Sequence, residues 1–502
     1  MLMLLFAGCA LSDSDQQGGA VHELPPPEDG KWDNYVSSNA REFELSGTAH
    51  VQLPGDFAEQ DEVTQDEILN RAVTQRLSVV ARSVERYIKD VVSETNLNDP
   101  GEDNRWFVYF KPNNAESNNA RVLNDGRAAF DFEMELVGSY FLMSKVAPEG
   151  GTYRSFDVEV KDWSETTGET VTVRIQGSKS RDAFPRYDEM FADGVFDIAV
   201  HFGGDYNSGR HDLETAEWLV EHLIEQGWDN TEVESYEDLV IDSPPFTRHI
   251  ILEGNELEMQ VYVYHSDMVD APNQEELSRV MRSSLAQRDV VVYSGHSGPG
   301  AGFVLDYHPR YEIRAREFES LELADKYQIY IFDGCQTYRT YVDDIMKNPL
   351  KSFDENINNL DIVTTVNNTP FGVGYQVLFE VLYWFTITDM EGNHYPLSWL
   401  DFLRGVNTEN FRTVHYGVHG VDHNPKLNPH ASQNIACRPC TKDSDCGAGG
   451  NFCLNYSGGP ACGVACTTDT ACPPGYRCAR LYDDPDLFYI PKQCVRRDYI
   501  CE

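Results

Sequence analysis

Basic residues are scarce: 40 Lys and Arg stand against 82 Asp and Glu in 502 residues, a formal net charge of −42. No block of Lys and Arg offers a local exception, so a phosphate backbone would be repelled and nucleic acid is excluded as a partner. Long apolar runs are missing as well. Beyond the first ten residues nothing approaches the roughly 18 consecutive apolar residues of a membrane helix, and the apolar stretch 374–387 is short and carries Glu380, which suits a buried helix. Cysteine is nearly absent before residue 437, where only Cys9 and Cys335 occur. What is present is a globular composition, 41% hydrophobic and 12% aromatic, with an acidic surface. The acid excess stops at the tail: residues 437–502 carry 7 basic and 8 acidic groups, against 33 and 74 in the rest.

The other ten cysteines crowd that tail: Cys437, Cys440, Cys446, Cys453, Cys462, Cys466, Cys472, Cys478, Cys494 and Cys501. An even, dense set in a Gly-, Pro- and Thr-rich stretch is the pattern of a disulfide framework and of an oxidising compartment. Zinc is the competing reading, because Cys437-Arg-Pro-Cys440 is a C-x-x-C, but no second close pair follows it. The tail repeats itself: Cys440-Thr-Lys-Asp-Ser-Asp-Cys446 with Cys453 is echoed by Cys466-Thr-Thr-Asp-Thr-Ala-Cys472 with Cys478. These units resemble small secreted C-x-x-D-x-x-C modules such as Dickkopf-type cysteine-rich regions. At the other end, Leu5-Phe6-Ala7-Gly8-Cys9 closes an apolar run and resembles a bacterial lipobox, although a basic n-region is lacking. The resemblance implies lipidation of Cys9, and with the tail it places the chain outside the cytoplasm, in the cell envelope or beyond. A membrane is then met only through the lipid anchor.

Residues 1–18 are thus expected to be a signal and anchor segment, and 19–40, rich in Gln, Gly, Asp and Pro, a flexible tether. Thr64-x-x-Glu67 forms a capping box, and Leu69, Val73, Leu77, Val80, Val84 and Ile88 recur at helical spacing to about Val92. Afterwards the period changes to two: Phe130, Phe132, Met134 and Leu136 alternate with charges, as do Phe156, Val158, Val160 and Val171, Val173, Ile175. Residues 41–182 therefore predict an α+β domain whose antiparallel sheet has one wet face. From 183 to 430 strands alternate with helices: 196–200, helix 214–227, 259–264, helix 274–287, 290–293, 328–332 and 361–366. That alternation predicts an α/β fold, a mostly parallel sheet with helices on both faces, followed by a small disulfide-rich module over 437–502. Chemistry in such sheets sits past the carboxyl ends of the strands.

Two strand ends carry reactive residues. Val290-Val-Val-Tyr293 runs into Ser294-Gly295-His296-Ser297-Gly298, and Gln328-Ile-Tyr-Ile-Phe332 into Asp333-Gly334-Cys335-Gln336. A thiol nucleophile and an imidazole are the minimum for covalent acyl transfer, the thiolate attacking a carbonyl and the imidazolium protonating the leaving amine. Taken singly, a cysteine after a strand is most often a small buried residue, and a lone histidine is usually structural. The paired contexts resemble the caspase-hemoglobinase superfamily of cysteine peptidases, which includes caspases, legumain, gingipains, clostripain and separase. The resemblance covers about 185–405 and implies a caspase-like sheet, peptide or protein substrates and no required cofactor. It makes His296 the catalytic histidine and Cys335 the nucleophile, with backbone N–H groups of Ser297, Gly298 and Cys335 as the oxyanion hole. Ser297 stands where the family has glycine.

Alternatives remain open. Gly295-His296-Ser297-Gly298 also resembles an α/β-hydrolase elbow with Ser297 as nucleophile, with Asp333 and later histidines completing a triad and His201-Phe-Gly203-Gly204 as an oxyanion loop. That elbow needs a glycine where Pro299 stands and a helix directly after it. An inactive core with a partner-binding tail is the other alternative. The cluster His415, His419, His423 and His430 is interrupted by glycine and proline, which suits a loop better than a metal-binding helix. Calcium is compatible with the acidity, but no EF-hand loop is visible.

Overall fold

The structure, a computed structural model, describes residues 21–24, 35–98, 107–110, 115–148, 154–162, 165–178, 183–204, 209–252, 254–269, 275–298, 301–307, 310–353, 356–357, 359–407, 415–421, 436–446, 450–466, 472, 476–481 and 491–501. Cys9 and the expected anchor segment lie outside them, as do Pro299, His423 and His430. The chain divides into two compact units, one of residues 30–423 and one of residues 1–29 with 424–502.

The larger unit is built on two sheets. In the first, β1 (Ala40–Gln52), β2 (Val108–Phe110), β3 (Glu116–Val122), β4 (Arg127–Ser139), β5 (Arg154–Asp162) and β6 (Glu165–Gly177) run in the order β2-β4-β1-β6-β5, with β3 also on β4, and every ladder is antiparallel. One face takes Phe43, Leu45, Phe130, Phe132, Leu136, Val158, Val173 and Ile175, packed against Val73, Val80, Val84, Ile88 and Val92 of α1 (Glu62–Asn98). Each such side chain contributes about 2 kcal/mol by leaving water. The helix begins earlier than the capping box implied. Asp61, not Thr64, caps it, its carboxylate accepting the Thr64 N–H at 3.1 Å, and that bond holds the Asp61 carboxyl below its ordinary range.

The second sheet has seven strands: β7 (Val195–Phe202), β8 (Phe246–Leu252), β9 (Asn255–Tyr264), β10 (Val290–Ser294), β13 (Gln328–Asp333), β14 (Leu360–Thr365) and β15 (Tyr416–His419). They lie in the order β15-β14-β13-β10-β7-β9-β8. A two-stranded ribbon, β11 (Phe303–Tyr307) with β12 (Arg310–Ile313), follows β10. The four interior ladders are parallel, but β15 on β14 and β8 on β9 are antiparallel. Among the described residues, antiparallel ladders outnumber parallel ones. The expected mostly parallel, caspase-like sheet is therefore corrected: this is an α/β fold with one antiparallel sheet and one mixed sheet. The physical reason is that the two edge strands return by connections that alternating hydrophobicity does not encode. Tyr416–His419, expected as loop, is one of those edges.

Helices cover both faces of the mixed sheet. Ile198, Val200, Val261, Val292, Ile331 and Val363 meet α2 (His211–Glu225), α5 (Val373–Thr386) and α6 (Trp399–Val406). Val291, Tyr293, Tyr330, Phe332 and Ile362 meet α3 (Glu275–Gln287) and α4 (Thr337–Met346). In the smaller unit the ten cysteines form five disulfides: 437–501, 440–453, 446–462, 466–478 and 472–494. The sequence repeat reappears as a repeated pairing, with the first cysteine of each motif joined to the third.

Candidate functional site

Because the interior strands of the mixed sheet are parallel, their carboxyl ends share one edge. A cleft of about 420 Å³ opens there, lined by the loops after β10, β13 and β14 and by the start of α2. His296, Ser297, Gly298 and Cys335 all line it, so the structure brings these four together. Cys335 is half-buried and is the free cysteine among the described residues. It sits in a tight turn between β13 and α4, where Gln336 takes a left-handed conformation at φ 54°. The positive end of the α4 dipole lies at this turn.

The turn packs backbone to backbone on the histidine loop. Gly295 N–H donates to Asp333 O at 3.0 Å, and Ser297 Oγ donates to Cys335 O at 3.1 Å. A Cβ on Gly334 would lie 2.3 Å from Ser297 Oγ and 2.8 Å from Gly295 O, so only glycine allows this approach. Gly298, at φ 134°, comes within 3.3 Å of Cys335 O by the same measure. Among the described residues the backbone N–H groups of Ser297 and Cys335 make no hydrogen bond, whereas Gly298 pairs with Ala301 in a short antiparallel bridge.

The thiol's polar neighbours are not an imidazole. Sγ lies 3.7 Å from Thr369 Oγ1 and 3.9 Å from Thr369 O. His296, half-buried, is set between rings, with Tyr307 and Phe371 edge-on at 6.0 and 5.7 Å between centroids. A thiol–imidazole hydrogen bond is thus not formed. Below the thiol, buried Asp333 accepts from Tyr416 Oη at 2.7 Å and Ser294 Oγ at 2.8 Å. Burial pushes its carboxyl above the ordinary value, and the two hydroxyls work against that rise.

The esterase alternative fits less well. Ser297 Oγ is spent on the Cys335 carbonyl, and the described chain resumes as a strand, Phe303–Tyr307, where an elbow needs a helix. Gly203 and Gly204 N–H groups donate to Ser294 O and Val304 O, so they are not available to an oxyanion. His415 and His419 are buried on or beside an edge strand, His415 stacked on Phe107 at 3.7 Å, which holds them as packing residues. The zinc alternative for the tail also falls. Cys440, Cys446 and Cys462 lie together, as do Cys466, Cys472 and Cys478, but each sulfur is bonded to another sulfur and offers no thiolate.

Residues that sequence reasoning did not single out are Thr369 and Phe371, from the loop after β14, and His211 and Asp212 at the start of α2. The available signal was that the loop after 361–366 is a third strand end on the same edge. Compared with known proteins, no family model and no curated protein matches the chain. A solved structure described as "Structure of Protease" is similar at 12% identity and a TM-score of 0.25, over 61% of this chain and 62% of that one. This is a weak likeness to a protease.

Proposed function

We propose that the chain is a cysteine endopeptidase in which Cys335 attacks the substrate carbonyl and His296 moves the proton. Backbone N–H groups of Ser297, Gly298 and Cys335 receive the oxyanion. The observation that carries this reading is the convergence of the Cys335 thiol, the His296 imidazole and the backbone of Ser297, Gly298 and Cys335 on a single cleft. The resemblance of the two strand-end motifs to caspase-hemoglobinase peptidases points the same way. The geometry asks for a closing movement: Cys335 Sγ must leave Thr369 and His296 must turn toward it when peptide binds. Five disulfides in the tail support an exported protein, and the lipobox-like Cys9 supports a lipid anchor on the envelope. The tail is then free to recognise a surface partner.

The inactive-core reading rests on the Thr369 contact of the thiol. The two readings separate when the soluble chain is incubated with a diverse peptide mixture, with and without reductant or calcium, and products are sequenced by mass spectrometry. Cleavage lost in Cys335→Ala and in His296→Ala but kept in Ser297→Ala supports the peptidase. No cleavage by wild type in any condition leaves a binding protein, and loss only in Ser297→Ala restores the esterase.

A further inference from the structure

The antiparallel sheet carries none of the residues lining the cleft, yet it touches both loops that meet the thiol. Glu42 on β1 is 6% exposed, and its Oε1 accepts from the hydroxyl of Tyr338 at 2.8 Å. Tyr338 is the second residue of α4, three positions after Cys335. A second route runs through the loop after β14. Phe107, just before β2, stacks on His415, and Asn39, just before β1, meets His415 Nδ1 at 2.9 Å. His415 N–H donates to Asn367 Oδ1 at 3.1 Å, and Gln336 N–H donates to Asn367 O at 2.8 Å. Tyr35, Ala40, Phe107, Val137, Tyr338 and Val366 close an apolar cluster around these bonds.

Separating the sheet from the turn would expose the apolar cluster and break a charge-assisted bond. We propose that the antiparallel sheet is a permanent support of the Cys335 turn, with Glu42 as a positioning residue acting through Tyr338. It is not a removable pro-segment. The importance of the turn rests on the peptidase reading; the support itself does not.

The test uses the full soluble chain and Glu42→Ala, Glu42→Gln and Tyr338→Phe. Two quantities are read: the rate of Cys335 alkylation by iodoacetamide, and amide hydrogen exchange over 335–338 and 367–369. In Glu42→Ala, alkylation shifts about tenfold, as expected for losing a hydrogen bond to a charged group. Exchange quickens in both loops and stays unchanged in β7 and β10. Glu42→Gln keeps an acceptor for Tyr338 and stays within about twofold of wild type. Tyr338→Phe, which keeps the ring in place, moves both readouts as Glu42→Ala does and decides the matter should the alanine variant not fold. A lowered Tm with alkylation and loop exchange both at wild-type values overturns the proposal, and so does a glutamine variant that behaves like alanine. If the wild-type thiol is inert to alkylation, loop exchange alone decides. Neither readout needs peptide cleavage, so a chain that cuts nothing sinks the peptidase and leaves this support to stand or fall by itself.

Discussion

At the scale of single residues, glycine sets how closely the two reactive loops approach. A methyl group on Gly334 meets Ser297 Oγ and Gly295 O. Gly334→Ala should therefore push the loops apart, costing about 1–3 kcal/mol of stability and removing most cleavage, as checked by denaturant unfolding beside the peptide assay. A structure of the variant with unchanged loops and full activity would refute that account. Buried histidines give a pH prediction. Burial, and secondarily Arg288, pushes His201 down to about 3, while its Nε2 meets Ser284 Oγ at 2.9 Å. Its ordinary value is 6.5, so between those values the unfolded chain binds the extra proton. Its contribution is complete above pH 6.5 and drains away as pH falls toward 3. Tm should accordingly fall more steeply with acid in wild type than in His201→Gln; parallel curves would contradict the shift. His296 and Cys335 were legible in sequence because each directly follows an apolar strand. Thr369 was not, since its contact with the thiol depends on how the loop after β14 turns back.

At the scale of elements, alternation exposed the antiparallel sheet and helical spacing exposed α1, because each buries one face against the other. Ile88 is fully buried in that interface, and Ile88→Ala should cost about 3 kcal/mol, measured as a shift of the denaturant midpoint. A change under about 0.5 kcal/mol would mean the helix is not packed as described. The edge strands β8 and β15 were not legible. Gly417 sits in β15 because the Tyr35 ring lies against it, with a Cβ there only 2.3 Å away. This is a tertiary reason that no local pattern carries. The same blindness to edges is why a parallel sheet was expected where a mixed one formed.

At the scale of the whole molecule, two units meet different demands. The larger is held by buried apolar layers, the smaller by cross-links around a core of few residues such as Leu454, Tyr456 and Val495. The 437–501 disulfide spans 64 residues, and closing a loop of that length stabilises by about 4 kcal/mol in the chain-entropy view. Replacing both cysteines with serine should unfold the tail at lower denaturant while the transition of the larger unit stays in place. Two transitions moving together would show that the units do not fold separately. The acid excess, 74 acidic against 33 basic groups before residue 437 and 8 against 7 from there on, follows much the same division.

The central claim, that Cys335 is the nucleophile, is tested most directly by stopping the reaction in acid during turnover of a cleaved peptide and mapping the covalent intermediate. The account predicts an acyl mass on the fragment that contains Cys335, reduced or absent in His296→Ala. An acyl group on Ser297, or continued cleavage with no adduct on Cys335 under conditions that trap thioesters, would contradict it.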